Sequence, residues 1–477
     1  IGKFKNNFYQ RLAYDEIFST FLVHSEIRKK IKRNKKKNKI LDLAKQKKII
    51  NKLSFILTKD QFKSLREINE DLTSPNKMFR LLQGDVGSGK TIVSLLAAYN
   101  TVNSGFQVAI MAPTEILARQ HFNLCKKIFD NELNIALISG KSDNKEKKDI
   151  LSKLSKNKID IIFGTHAIFQ KKVIFENLGL IIIDEQHKFG VNQRKRLSDK
   201  GGSNCDVLLM TATPIPRTLT MTIYGDMDIS IIREKPKTRK SIKTYSKLEN
   251  KIDDVIKFVK KEISFGNQIF WVCPLIEESK RVDHSSAIKK FEYLKKIFPK
   301  QVSLLHGKTT IDEKEHILNS FLKNEFKILV STTIIEVGID FPNANVIIIE
   351  NANKFGLSQL HQLRGRVGRG TKESSCILMF KSNLSDNAKK RINILKGSND
   401  GFVISEEDMA IRGFGDILGF KQSGIKNFRL ADPIQNKDLF LLAEKEIKRI
   451  EKSNEDIRKF KPLIKLYDRA DIINDIA

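Results

Sequence analysis

Gly84-Asp85-Val86-Gly87-Ser88-Gly89-Lys90-Thr91 decides how this chain is read. The octet fits G-x-x-x-x-G-K-[ST]; an apolar stretch precedes it and a helical stretch, Thr91 to Tyr99, follows it. Its glycines permit backbone conformations that aim successive N–H groups at phosphate oxygens. The start of the following helix adds a favourable potential for an anion. In such a loop Lys90 would neutralise the β- and γ-phosphates, and the Thr91 hydroxyl would ligate Mg²⁺. A strand feeding a phosphate loop and then a helix predicts an α/β fold built on a parallel sheet.

The same alternation continues outward in both directions. Candidate strands lie at Phe79–Leu82, Val108–Ala112, Ala136–Ser139, Ile159–Phe163, Leu180–Ile183 and Val207–Met210, with helical stretches between them. The polar segment Lys235-Pro236-Lys237-Thr238-Arg239-Lys240 reads as a linker. A second alternating block follows, with strands at Ile269–Val272, Val302–Leu305, Ile328–Ser331, Val346–Glu350 and Cys376–Phe380. Two tandem parallel-sheet domains are therefore expected, at 56–235 and 236–395. A basic helical segment (1–55) comes before them and a helix-rich tail (396–477) after them.

At 477 residues, with 40% hydrophobic and 30% charged residues, the chain is read as soluble and multidomain. Apolar runs such as Leu180-Ile181-Ile182-Ile183 are too short to span a bilayer, so no membrane partner is expected. The start, Ile1-Gly2-Lys3-Phe4-Lys5, shows no signal peptide and no initiator Met, which suggests a cytoplasmic protein truncated at its N-terminus. Four cysteines (Cys125, Cys205, Cys273 and Cys376) form no CxxC pair, so neither a zinc site nor a disulfide framework is expected. The net charge of +30 favours a polyanionic partner. The chain is Lys-rich throughout, however, and the run Arg28-Lys29-Lys30-Ile31-Lys32-Arg33 with Lys35-Lys36-Lys37 is either a solvated face or a phosphate-tracking surface. Leu12, Ile17, Phe21 and Leu22 just before it recur at helical spacing.

Two further motifs carry chemistry. In Ile181-Ile182-Ile183-Asp184-Glu185-Gln186-His187 an apolar strand ends in adjacent carboxylates, at the sheet edge where such folds bind ligands. Asp184 fits a Mg²⁺-holding aspartate, and Glu185 fits the base that orients the attacking water. In the second block, Gln362-Leu363-Arg364-Gly365-Arg366-Val367-Gly368-Arg369 spaces its arginines for one helix face. Arg366 and Arg369 are candidates to neutralise charge building on a γ-phosphate. Lys90, Asp184, Glu185, Arg366 and Arg369 form the expected catalytic set.

With these motifs in place, the chain resembles helicase superfamily two and, within it, the RecG family of branched-DNA helicases. The resemblance implies two RecA-like domains, ATP and Mg²⁺ as cofactors, and ATP-driven translocation on duplex DNA. It casts Gln61, in Leu57-Thr58-Lys59-Asp60-Gln61, as the adenine-reading glutamine, and Gly84, Asp85, Val86, Gly87, Ser88, Gly89, Lys90 and Thr91 as the ATP-binding loop. Gly338 and Asp340, in Ser331-Thr332-Thr333-Ile334-Ile335-Glu336-Val337-Gly338-Ile339-Asp340, resemble the family's motif V and join the ATP set. Ala112-Pro113-Thr114-Glu115-Ile116-Leu117-Ala118 and Gly164-Thr165-His166-Ala167 resemble motifs that line the nucleic-acid track, implying roles for Thr114, Arg119 and Thr165. Thr211-Ala212-Thr213-Pro214-Ile215-Pro216-Arg217 resembles the motif linking ATP state to that track, through Thr211 and Thr213. Tyr224-Gly225-Asp226-Met227-Asp228, Trp271–Glu278 and Phe355–Leu363 are similar to RecG in particular. So is Ile411–Gly424, which resembles the translocation motif and implies DNA-coupling roles for Arg412, Lys421 and Gln422.

The resemblance implies forks and Holliday junctions as substrates, in recombination and in repair of stalled replication forks. It also implies a single-stranded DNA-binding protein as partner, a monomeric state and a bacterial, nucleoid-associated location. Phe414, Glu407 and Lys421 depart from the family's usual Pro, basic residue and Arg, which bears on the ion pairs of the translocation motif. Nothing reads as the five-stranded barrel of the family's N-terminal wedge. Two alternatives stand beside this reading. One is a transcription-repair coupling motor, which usually carries DEEH where this chain has Asp184-Glu185-Gln186-His187. The other is a nucleic-acid-binding ATP switch without productive unwinding.

Overall fold

Runs of branched apolar residues become strands buried on both faces, as parallel sheets require. The computed structural model describes residues 6–33, 35–129, 132–140, 143–185, 202, 204–236, 239–274, 283–332, 341–368, 370, 372–413, 428–453 and 456–467. By contacts these form two units, one comprising Ile1–Gly84, Gly89–Glu234 and Met409–Ala477, the other Asp85–Ser88 and Lys235–Asp408.

In the first unit, α1 (Asn7–Arg33), α2 (Leu43–Lys52) and α3 (Lys59–Thr73) precede β1 (Phe79–Gly84). Then follow α4 (Lys90–Asn103), β2 (Gln107–Met111), α5 (Glu115–Phe129), β3 (Ile135–Ile138), α6 (Asn144–Leu154) and β4 (Ile161–Gly164). The sheet is completed by β5 (Leu178–Ile183), β6 (Asp206–Thr211), α7 (Arg217–Ile223) and β7 (Asp228–Ile232). Its order is β3-β4-β2-β5-β6-β1-β7, with every pair parallel. Side chains alternate between the faces, so Leu82, Leu180 and Ile182 join one core cluster while Leu81, Ile181 and Ile183 join the other.

The second unit holds β8 (Ile242–Leu248), α8 (Ile252–Ser264), β9 (Gln268–Val272), α9 (Asp283–Ile297), β10 (Val302–Leu305) and α10 (Ile311–Leu322). It continues through β11 (Ile328–Ser331), β12 (Ala344–Ile349), α11 (Leu357–Arg364), β13 (Ser374–Phe380) and α12 (Asp386–Gly397). The sheet order is β10-β11-β9-β12-β13-β8, again parallel throughout. Strands β7 and β8 escape the sequence reading. Both are sheet-edge strands whose inward and outward residues alternate, so they lack the unbroken apolar run of β5 or β12.

The tail supplies α13 (Gly401–Arg412), α14 (Lys437–Ser453) and α15 (Lys461–Leu466). Phe440, Ala443, Ile447 and Ile450 form one stripe of α14 and pack on Ala13, Ile17 and Phe21 of α1. Of the four apolar residues spaced for a helix in this segment, Ile17, Phe21 and Leu22 are buried, whereas Leu12 is exposed. Buried Glu16 on α1 accepts the backbone N–H groups of Arg429, Leu430 and Ala431 at 2.7, 2.9 and 3.0 Å. One carboxylate thus fastens the tail to the first helix.

Within the basic run, Lys36 departs from the sequence expectation, while Lys32, Lys35 and Lys37 are exposed, and Lys39 just beyond the run joins Lys36. Lys36 Nζ lies 2.7 and 2.6 Å from the two Asp206 carboxylate oxygens, and Lys39 Nζ lies 2.6 Å from Oδ2. All three side chains are fully buried. These two lysines therefore belong neither to a solvated face nor to a phosphate track; they strap the segment across the start of β6.

Candidate nucleotide site

Because all strands of the first sheet run the same way, their C-terminal ends share one edge. Five adjacent strands, in the order β4-β2-β5-β6-β1, lead there into Gly164-Thr165, Ala112-Pro113-Thr114, Asp184-Glu185, Thr211-Ala212-Thr213 and the phosphate loop. The motifs lie far apart in sequence, and the topology gathers their strand ends along one edge of this sheet.

The loop leaves β1 at Gly84, and Gly87 and Gly89 adopt φ of +74° and +85°. L-residues rarely take up this left-handed region, which explains glycine there. Space adds a second reason at Gly89, where a Cβ would lie 2.2 Å from Gln61 Nε2. Lys90 opens α4, is buried, and donates from Nζ to the Gly84 carbonyl at 2.8 Å. Thr91, half-buried, follows in the first helical turn. Asp85 Oδ1 accepts the Val86 N–H at 2.7 Å, and Ser88 is fully buried.

Asp184 sits just past β5, held by its N–H to the Met111 carbonyl at 2.9 Å. Its Oδ2 accepts from His121 Nε2 at 2.9 Å, and its Oδ1 accepts the Glu185 N–H at 3.0 Å. Burial alone would raise the carboxyl's pKa. The His121 hydrogen bond and the charges of His121 and Lys90 outweigh it and hold the group below the ordinary carboxylate value. His121, buried on α5, is a site residue that the sequence reading missed. Its partner lies 63 positions away, and no motif marks it. Glu185 adopts φ of +51°, a strained conformation for a non-glycine residue, of the kind that clusters at functional sites. Its Oε2 accepts the Ala212 N–H at 3.4 Å, and Thr213 N–H donates to Thr211 Oγ1 at 3.2 Å. The acidic pair and the Thr211–Thr213 motif are thus joined directly.

Gln61 is buried at the start of α3 in a capping box. Its Oε1 accepts the Thr58 N–H at 2.8 Å, and its own N–H donates to Thr58 Oγ1 at 3.2 Å. Thr114 Oγ1 accepts the Leu117 N–H at 3.4 Å just ahead of α5, and Arg119 on that helix lies 3.6 Å from Glu115. Thr165 holds the N-cap position of the short helix His166–Phe169 after β4, without a side-chain hydrogen bond to the helix. Arg412 is the exposed last residue of α13, with exposed Glu407 on the same helix.

Arg366 lies in the second unit and is buried, but it lies beyond the end of the helix that the arginine spacing predicts. Helix α11 stops at Arg364 with Gly365 as its cap, and Gly368 takes φ of +75°. The glycines that space the arginines end the helix there, and this overrides the i, i+3 reading. Gly338, Asp340, Arg369, Phe414, Lys421 and Gln422 lie outside the described residues, as does most of the translocation motif.

All four cysteines are buried with free thiols, and burial pushes Cys125, Cys205 and Cys376 up to about 12. No helix among the described residues is long and apolar enough to cross a membrane.

Two parallel sheets, the first carrying a phosphate loop and an acidic strand end, define a tandem RecA-like helicase fold. The DEAD/DEAH box helicase family matches residues 45–222, and the helicase conserved C-terminal domain matches residues 250–371. The chain is 48% identical over 390 residues to the ATP-dependent DNA helicase RecG of Bacillus subtilis (strain 168), covering 81% of this chain and 57% of that protein. It is 45% identical over 474 residues to RecG of Aquifex aeolicus (strain VF5), covering 98% and 60%. A structure of RecG bound to a three-way DNA junction superposes with a TM-score of 0.75 at 41% identity, covering 91% of this chain and 57% of that one. This chain belongs to the RecG family. It spans about three-fifths of the length of the curated relatives it matches.

Proposed function

We propose that this chain is the motor part of an ATP-dependent DNA helicase that translocates on duplex DNA and remodels branched DNA. Forks and Holliday junctions are its expected substrates, in recombination and in the repair of stalled forks. The observation that carries the reading is the shared sheet edge, where Lys90, Asp184 and Glu185 sit beside the Thr211–Thr213 motif.

Lys90 would turn from the Gly84 carbonyl to the β- and γ-phosphates. Asp184 and Thr91 offer the hard oxygen donors that suit Mg²⁺, and the depressed pKa of Asp184 keeps its carboxylate charged for that role. When held by Asp184 and Thr91, Mg²⁺ would offset the negative charge that builds on the phosphates during transfer. Glu185 would orient and deprotonate the attacking water, and its link to Ala212 would report that event to the Thr211–Thr213 motif. Arg366, Arg369, Gln61, Gly338 and Asp340 complete the nucleotide set in this reading. Thr114, Arg119, Thr165, Arg412, Lys421 and Gln422 serve the DNA track. A single-stranded DNA-binding protein as partner, a monomeric state and a cytoplasmic, nucleoid-associated location follow from family resemblance and belong to the same proposal.

The test is ATP hydrolysis with Mg²⁺ alone and with linear duplex, single-stranded, forked DNA or structured RNA. The strongest stimulation is expected from forked or duplex DNA. Equal or better stimulation by RNA would overturn the DNA assignment.

A further inference from the structure

Asp60 occupies the first turn of α3, one residue before Gln61. The Asp60 Oδ2 accepts the backbone N–H groups of Arg233 at 2.8 Å and Glu234 at 3.0 Å. The Asp60 N–H in turn lies 3.4 Å from Glu234 Oε2. These two residues directly follow β7, and Glu234 is the last residue of the first unit before the chain passes into the second at Lys235. A carboxylate accepting two successive backbone N–H groups fixes the direction of that short stretch of chain, since both donors must face one point.

The neighbouring side chain, Gln61, completes the capping box at the start of the same helix. The Gln61 Oε1 is committed to the Thr58 N–H, while its Nε2 lies against the phosphate loop at Gly89. Glutamine reads adenine through both ends of its amide at once, donating from Nε2 and accepting at Oε1. Engaging a base therefore adds a second donor at Oε1 and re-aims the amide that completes the capping box of α3, and Asp60 lies in that first turn. We propose that Asp60 is a positioning residue that transmits base recognition at Gln61 to the point where the chain leaves the first unit. The proposal rests on the nucleotide-site reading above. It adds that the adenine base, and not only the phosphates, resets the exit of the linker.

The experiment is amide hydrogen exchange on the whole chain, read in peptides covering 230–236. Wild type and Asp60→Ala are compared without ligand, with ADP and with inorganic tripolyphosphate, and equilibrium binding of each ligand is measured alongside. In wild type, ADP should change exchange at Arg233 and Glu234 several-fold, and tripolyphosphate at saturation should change it much less. Asp60→Ala should exchange fast at both positions in every condition, should shift ADP affinity several-fold because the coupling is reciprocal, and should bind tripolyphosphate within about twofold of wild type. Equal responses to ADP and tripolyphosphate, or slow exchange retained in Asp60→Ala, would overturn the proposal while leaving the nucleotide site standing. If neither ligand binds wild type, the nucleotide-site reading falls and the coupling falls with it.

Discussion

Strand β6 has charged groups near both of its ends, and they are treated in opposite ways. At its start, Asp206 is sealed between Lys36 and Lys39, with the Met78 N–H as a further donor at 2.7 Å, and none of the three side chains reaches solvent. Beyond its other end, Glu185 sits half-buried with a left-handed backbone and accepts the Ala212 N–H over 3.4 Å. The first arrangement holds the chain together; short, multiple hydrogen bonds oppose the desolvation there without cancelling it at Lys36. The second places a carboxylate on strained backbone at the sheet edge that carries the phosphate loop. The contrast separates charge that stabilises from charge held ready for chemistry, within one strand and its neighbours.

The sharpest way to break the comparison is Glu185→Gln. If Glu185 is the base, nucleic-acid-stimulated ATP turnover should fall by about 10²- to 10⁴-fold, while the denaturation midpoint barely moves. Turnover equal to wild type would remove Glu185 from the chemistry. Asp206→Asn should do the reverse. It keeps an acceptor for the Met78 N–H but leaves two buried ammonium groups uncompensated. Breaking a buried pair from one side costs about 3–5 kcal/mol. Urea denaturation would show this as a lowered midpoint, and a change under 1 kcal/mol would mean that the lysines escape to solvent.

What the sequence disclosed follows the same division. The phosphate loop, the acidic pair and the long apolar strands were legible because each is a local pattern with a local physical reason. Family resemblance then carried the fold and the RecG assignment. The pairings between distant residues were not legible. Nothing in the local sequence marks Lys36 and Lys39 as buried, because Asp206 lies 170 and 167 positions away. Nothing marks His121 as the partner of Asp184, for the same reason. The arginine spacing misled because Gly365 ends α11 before Arg366 is reached. Edge strands β7 and β8 were lost because alternation over so few residues is a weaker signal than an unbroken apolar run.

Lys36→Met sharpens the comparison at its structural end. It removes one ammonium and leaves Lys39 and Asp206 as a one-to-one pair, so it should cost clearly less than Asp206→Asn, about 1–2 kcal/mol from lost hydrogen bonds. Its pH signature is more specific. Burial pulls the Lys36 pKa below 10.5, even though Asp206 opposes the shift. Between that lowered value and 10.5 the unfolded chain binds more protons than the folded one, so wild-type stability should rise with pH across that window. Lys36→Met should lack this rise. An identical slope in both proteins would mean that Lys36 does not titrate in the strap.

The smallest effect expected is a gain. Glycine tolerates the left-handed backbone that Glu185 is forced to adopt, so Glu185→Gly should relieve strain at that residue. Loosening of the unfolded chain by glycine takes back part of that relief, leaving a net stabilisation of about 0.5–1 kcal/mol. ATP turnover should be lost, as in Glu185→Gln. A more stable but inactive protein would show that the backbone at Glu185 is held in place for the reaction at the expense of the fold. A less stable one would show that the hydrogen bond to Ala212 outweighs the strain. The two ends of β6 would then differ in exposure alone, with both carboxylates contributing to stability.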